Sequence, residues 1–184
     1  MTLRFALIAL ALAAAGCDRQ ASAPVDAGAA PQLDAPAPES QPSRVFAATN
    51  DAARAVANEI TISVTQQLPD AADADIKAVL SLRDGAGLNV EGEVTGAISP
   101  ATQVEGQTLR ALLAIPIEEP QVLVYRVTQA AGSPGLCSSG TAEYIVLWEP
   151  SGPGDASLKL LGIVGAAPGA GGARACEMLA FRRS

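Results

Sequence analysis

Tyr144-Ile145-Val146-Leu147-Trp148 and Leu158-Lys159-Leu160-Leu161-Gly162-Ile163-Val164 are the two stretches on which the fold turns. Both are mainly apolar on both faces, which places them centrally in a sheet with cover on either side. A second sheet, or helices from elsewhere in the chain, must supply the second cover. Gly-, Pro- and Ser-rich turns at 150–154 and 165–173 bound them, and a third strand is expected over 176–182. Together with 142–149 and 158–164 it makes an antiparallel meander.

Upstream the period is also two. Ile60, Ile62 and Val64 alternate with Thr61, Ser63 and Thr65. Ile76, Ala78, Leu80 and Leu82 alternate with Lys77, Val79, Ser81 and Arg83, and Asp84-Gly85-Ala86-Gly87 reads as the turn to a return strand over 88–94. A further strand over 121–129 puts Leu123, Tyr125 and Val127 on one side. Helix signals are weak. The alanine-rich stretch 46–58, with Asn50 and Asp51 near its start, is one candidate. The stretch 107–114 fits a short helix or a strand, and Pro116 and Pro120 bracket an irregular link after it. The expected fold is β-rich α+β: a largely antiparallel sheet with a C-terminal meander and one or two short helices as partial cover.

Composition removes several function classes. The chain has 184 residues, no histidine and a net charge of −7 from 12 basic and 19 acidic residues. Without histidine there is no Ser-His-Asp or Cys-His machinery and no imidazole metal site. Two lysines, Lys77 and Lys159, in an acidic chain leave no basic footprint for nucleic acid.

The N-terminus reads as a targeting segment. Arg4 precedes an apolar run from Phe5 to Ala15. As a helix that run spans ~16 Å, short of a bilayer core of ~30 Å, so it reads as a secretory signal peptide. Its end, Ala14-Ala15-Gly16-Cys17, resembles the lipobox of bacterial lipoproteins, with Ala14 where that family more often has Leu. The resemblance covers about the first 17 residues. It implies cleavage before Cys17 and lipidation of Cys17, hence anchoring by two or three acyl chains. It also implies a place in the bacterial cell envelope facing the periplasm. Asp18 favours the inner membrane, with the outer membrane as the alternative.

Residues 1–16 are thus the expected signal peptide and 17–44 an acylated cysteine with a disordered tether. The tether carries Pro24, Pro31, Pro36, Pro38 and Pro42 among many alanines, and has no periodic apolar face to offset its ordering entropy. Residues 45–184 form a single β-rich domain with 9 basic and 15 acidic residues, enough chain to bury about two-thirds of its unfolded surface.

With Cys17 lipidated, Cys137 and Cys176 remain as an even pair, expected as a disulfide in an oxidising compartment. Alternate strands of a meander lie ~9.6 Å apart, whereas bridged Cα atoms lie within ~7 Å. Cys137 must therefore reach across from its loop, or the strand order must differ.

Few residues suggest chemistry. Cys137-Ser138-Ser139-Gly140 lacks the G-x-S-x-G spacing, and a Ser–Lys dyad would need Lys77 or Lys159. The glycine-rich run 165–172 lacks the Lys-Ser/Thr of a phosphate loop and leads into a strand. Asp70, Asp73 and Asp75 fit a solvated turn better than a Ca²⁺ loop. Glu91 with Glu93, and Glu118 with Glu119, are the carboxylate pairs; Tyr144 and Trp148, on one strand face, are candidate ligand-binding aromatics. No catalytic residue, metal ligand or cofactor is expected. The reading is a membrane-anchored, non-catalytic binding or accessory module for an envelope protein or peptide. The alternative is a carboxylate-dependent hydrolase acting on envelope glycan or peptide.

Overall fold

The computed structural model describes residues 40–67, 77–132, 135–138, 140–150 and 156–184. The signal peptide, Cys17, most of the tether and Asp70, Asp73 and Asp75 lie outside them. The strands are β1 (Gln41–Ala48), β2 (Glu59–Gln67), β3 (Lys77–Arg83), β4 (Asn89–Ile98), β5 (Gln103–Val104), β6 (Gln107–Thr108), β7 (Val122–Ala131), β8 (Tyr144–Trp148), β9 (Ser157–Val164) and β10 (Arg174–Arg183). Two short helices, α1 (Asp51–Val56) and α2 (Leu109–Leu113), complete the order. The β-rich class with antiparallel pairing and short helices as cover is as the sequence reads.

Eight strands close into a barrel in the order β1-β10-β9-β8-β7-β4-β3-β2, every pair antiparallel. It is a meander in which one excursion, the β5–β6 hairpin with α2, interrupts the step from β4 to β7. Register shifts between Gln41 and Arg44, Glu91 and Gly92, Val94 and Gly96, and Ala175 and Met178 mark irregularities where a wall can bend into closure. At Gly92 a Cβ would lie 3.1 Å from the Arg126 carbonyl oxygen and 3.2 Å from Tyr125 Cβ, so glycine lets β7 and its buried tyrosine come close.

Two apolar cores result. The interior holds Phe46, Ile60, Ile62, Val64, Leu80, Leu82, Val90, Tyr125, Ile145, Leu147, Leu158, Leu160, Leu179 and Phe181, with Ala53 and Ala57 of the α1 region joining them from one end. The second core lies outside the wall: Val122, Val124, Val146, Trp148, Leu161 and Ile163 pack with Val104, Leu109, Leu113, Ile115 and Ala173. The insertion and the 165–173 loop therefore supply the second cover that β8 and β9 demand.

Three expectations change. β1 begins at Gln41, so Gln41–Arg44, Pro42 included, belong to the first strand rather than to the tether. The stretch 46–58 is not one helix: Phe46 points into the barrel from β1, and only Asp51–Val56 is helical. In 107–114 both alternatives occur in turn, β6 and then α2. Asn50 starts α1 by accepting from Ala53 N–H at 3.0 Å; it also accepts from Ala180 N–H at 3.1 Å and donates to the Met178 carbonyl at 2.8 Å. One side chain thus caps the helix and fixes it to β10.

Cys137 and Cys176 are bonded, with Cα atoms 5.4 Å apart. The bridge runs from the loop before β8 to β10, across the intervening β9. Gly162 of β9 makes the crossing fit: a Cβ there would lie 2.6 Å from Cys137 Sγ and 3.3 Å from Cys176 Sγ.

Candidate functional site at the barrel mouth

The barrel has two unlike ends. At one end are α1, the 84–88 turn, the disulfide loop and the 165–173 loop. At the other end β1 begins, and the 115–121 link returns from α2 into β7. Here a cavity of about 390 Å³ opens, lined by Ile62, Val64, Leu123, Tyr125 and Leu147 within and by polar groups at the rim.

Arg44 and Glu149 dominate the rim. Arg44 pairs in register with Ile62 and stacks its guanidinium 5.5 Å from the Phe46 ring centroid, both interior residues, so it points inward. Its Nη1 donates to Glu149, which follows β8, and its Nη2 donates to Gln41. The ion pair joins β1 to the end of β8, with β10 and β9 between them around the wall. Its side chains are 13% and 25% exposed, which sets it apart from the more open ion pairs on the barrel's outside. The Arg44 Nε is buried and has no hydrogen-bond partner among the described residues. Tyr125 lies beneath this pair. Burial pushes its phenol pKa far up, Arg44 opposes that and Glu149 adds to it, so the hydroxyl stays protonated across any physiological pH.

The other rim wall is the link after α2. Arg110 donates to the carbonyls of Pro116 and, at 3.0 Å, Glu119, tying the link into a fixed turn. The turn presents the Glu119 carboxylate, which accepts from the Trp148 indole N–H at 2.9 Å. Lys159 donates to the Ala114 carbonyl at 2.6 Å and sits 5.1 Å from the Trp148 ring centroid. Trp148 is thereby held at its N–H edge by Glu119 and covered on one ring face by Lys159.

The candidates named from sequence separate in space. Glu91 and Glu93 share the outer face of β4 and pair with Arg83 at 3.2 Å and Lys77 at 3.1 Å, a solvated face with no cleft. Glu118 is exposed, whereas Glu119 lines the cavity. Tyr144 and Trp148 do share the outer face of β8, but only Trp148 reaches the cavity; Tyr144 stands at the strand's other end, half-buried. Lys77 and Lys159 stand towards the mouth and Ser138 at the opposite end, so they form no Ser–Lys dyad. Sequence reasoning did not find Arg44, Glu149, Gln41 or Gln121. Arg44 carried one signal, a charge within a stretch grouped with the linker. Among the described residues, no three Cys, Asp or Glu side chains converge where they could hold a metal, and no helix is long and apolar enough to cross a membrane.

No protein-family model, curated protein or solved structure matches the chain.

Proposed function

We propose that the chain is a lipid-anchored envelope protein, held through Cys17 and facing the periplasm, whose barrel is a non-catalytic binding module working through its mouth. The observation that carries this reading is the mouth cavity itself, an apolar floor ringed by a few fixed polar groups. That is the form of a ligand site rather than of a filled barrel end. It opens at the end where β1 starts, so the stretch leading back to Cys17 meets the barrel beside it.

Two measurements test the reading. Cys17→Ser should move the protein from the membrane to the soluble fraction, and continued membrane association would remove the anchor. A photo-crosslinker at Gln121 on the rim should capture a discrete partner in native membranes, while one at Ala86 at the opposite end should not. Equal capture at both positions would remove the mouth as the contact region.

A second reading, a carboxylate hydrolase, has one observation in its favour: Glu119 and Glu149 line the same cavity. Glu149 is ion-paired with Arg44, and Glu119 accepts from the Trp148 indole. Release of soluble fragments from purified cell wall, lost in both Glu119→Gln and Glu149→Gln, would establish this reading over the first.

A further inference from the structure

We propose that the slot between the free end of β7 and the 140–142 stretch binds an extended, uncharged peptide segment of another protein as an added strand, with small apolar side chains at alternate positions. The slot lies in the wall on the side of the disulfide loop, away from the mouth, and the inference goes beyond the reading given to that cavity.

Pairing is the first argument. β8 pairs with β7 over 123–126, and the ladder closes with Val127 N–H donating to the Glu143 carbonyl at 2.8 Å. β7 runs on to Ala131. Over 129–131 β4 is its one partner strand among the described residues. The opposite edge of that stretch is therefore open, and Thr128, Gln129, Ala130 and Ala131 are exposed. Open edges accept extended segments through main-chain hydrogen bonds. These four residues include neither the charge nor the proline that commonly guards such an edge.

Space is the second. On the outer side of the slot a cavity of about 350 Å³ has Arg126, Thr128, Thr141 and Tyr144 in its lining. On the inner side a cavity of about 280 Å³ is lined in part by Val90, Leu136 and Ala142 of the interior core. Ala130, Thr141 and Ala142 line both, so the two cavities face each other across one gap in the wall. Successive side chains of a strand point to opposite faces. One set would enter the inner cavity, which suits valine or alanine, and the other would meet the polar outer side.

Charge selects the segment. Around the slot Arg126 and Lys77 are balanced by Glu93 and Glu143, and Arg83 by Glu91. Glu143 also accepts from the Gly165 N–H at 3.1 Å, and Asp84 is turned onto the N–H groups of its own loop. Both banks of the slot, 128–131 and 140–142, are uncharged. A charged segment would find no surplus of opposite sign there, so a neutral one is favoured.

The test titrates the whole protein with acetyl-Ser-Val-Thr-Val-Ser-amide and with two forms N-methylated at alternate residues, one in each phase. Calorimetry reads affinity and amide hydrogen exchange reads the place. The parent peptide should bind saturably and slow exchange within 128–131. At least one methylated form should bind about tenfold weaker, because it lacks the donors that face β7. Ala130→Lys and Thr141→Lys, one on each bank, should each cost the parent peptide a similar factor, while Gln103→Lys on β5 should leave it unchanged. Equal binding of the parent and both methylated forms overturns strand addition. Absence of saturation by about 1 mM, or full affinity in both bank variants, overturns the site. A concentration-dependent dimer that Ala130→Lys abolishes would give the edge to a second copy of this chain and overturn the peptide assignment. None of these results bears on capture at Gln121, so the mouth reading stands or falls separately.

Discussion

The two halves of the barrel wall solve different problems with the same kind of strand. In β2 and β3 the outward positions are mainly polar, among them Thr61, Ser63, Lys77, Ser81 and Arg83, with Val79 the buried apolar exception. In β8 and β9 the outward positions are Tyr144, Val146, Trp148, Leu161 and Ile163, and the partner is the insertion with its small second core. The difference shows in the chain as clean alternation against near-continuous apolar character. One-sided strands need only the barrel to form; two-sided strands also need a separate element to come back and cover them.

Several measurements would break or sharpen that contrast. Removing the disulfide with Cys137→Ser and Cys176→Ser should cost about 4 kcal/mol for a bridge of this loop length, measured by urea unfolding. Gly162→Ala should lose much of the same stability, because its Cβ would meet Cys137 Sγ at 2.6 Å; thiol titration should then find free cysteine. Leu161→Ala should cost about 2–4 kcal/mol although it faces outward, while Ser63→Ala on the one-sided half should stay within about 0.5 kcal/mol. Equal effects at Leu161 and Ser63 would mean that the insertion contributes no real core.

Asn50→Ala should cost about 1–2 kcal/mol, since it removes a helix cap and two bonds to β10 together. A double mutant with Leu161→Ala should show additive losses if the α1 end and the outer core are independent.

A small effect belongs to the β3–β4 turn. Slight burial works to raise the Asp84 pKa, but backbone N–H donors from Ala86, Leu88 and Gly87 outweigh it and hold the carboxyl below its ordinary value. A depressed folded pKa stabilises above the unfolded value of about 3.9 and loses that contribution as pH falls through the folded value. Asp84→Asn should therefore cost about 1 kcal/mol or less near neutrality and flatten the dependence below about pH 4, with melting temperature against pH as the measurement.

Much of the wall was legible. Alternation places Ile60, Ile62 and Val64 inside, and Leu123, Tyr125 and Val127 likewise, because period two survives wherever one face meets solvent. The demand for double cover on β8 and β9 was legible too, and its source was not: the 107–114 stretch is too short for periodicity to choose a state. β1 was hidden because its structure comes from pairing with β2 and β10, while locally Pro42 and its alanines look like a linker. The mouth was half legible. Glu119 and Trp148 stand out as residue types, but Arg44 and Glu149 meet across 105 positions of sequence, a distance no local pattern spans. The disulfide posed a spacing problem, and the barrel resolves it by passing the bridge over a glycine.

Closure of the wall also sets a timetable. β1 is made first and β10 last, yet they are neighbours, so throughout synthesis β1 can pair only with β2 and presents a raw edge on its other side. Such edges invite pairing with other chains. Pro42, which has no N–H to offer, and the inward charge of Arg44 lie on that waiting strand and make it a poor template for strangers. The barrel is complete only when Arg174–Arg183 arrives, so a chain that stops short of β10 would leave β1 without its second neighbour and the mouth without a finished ring.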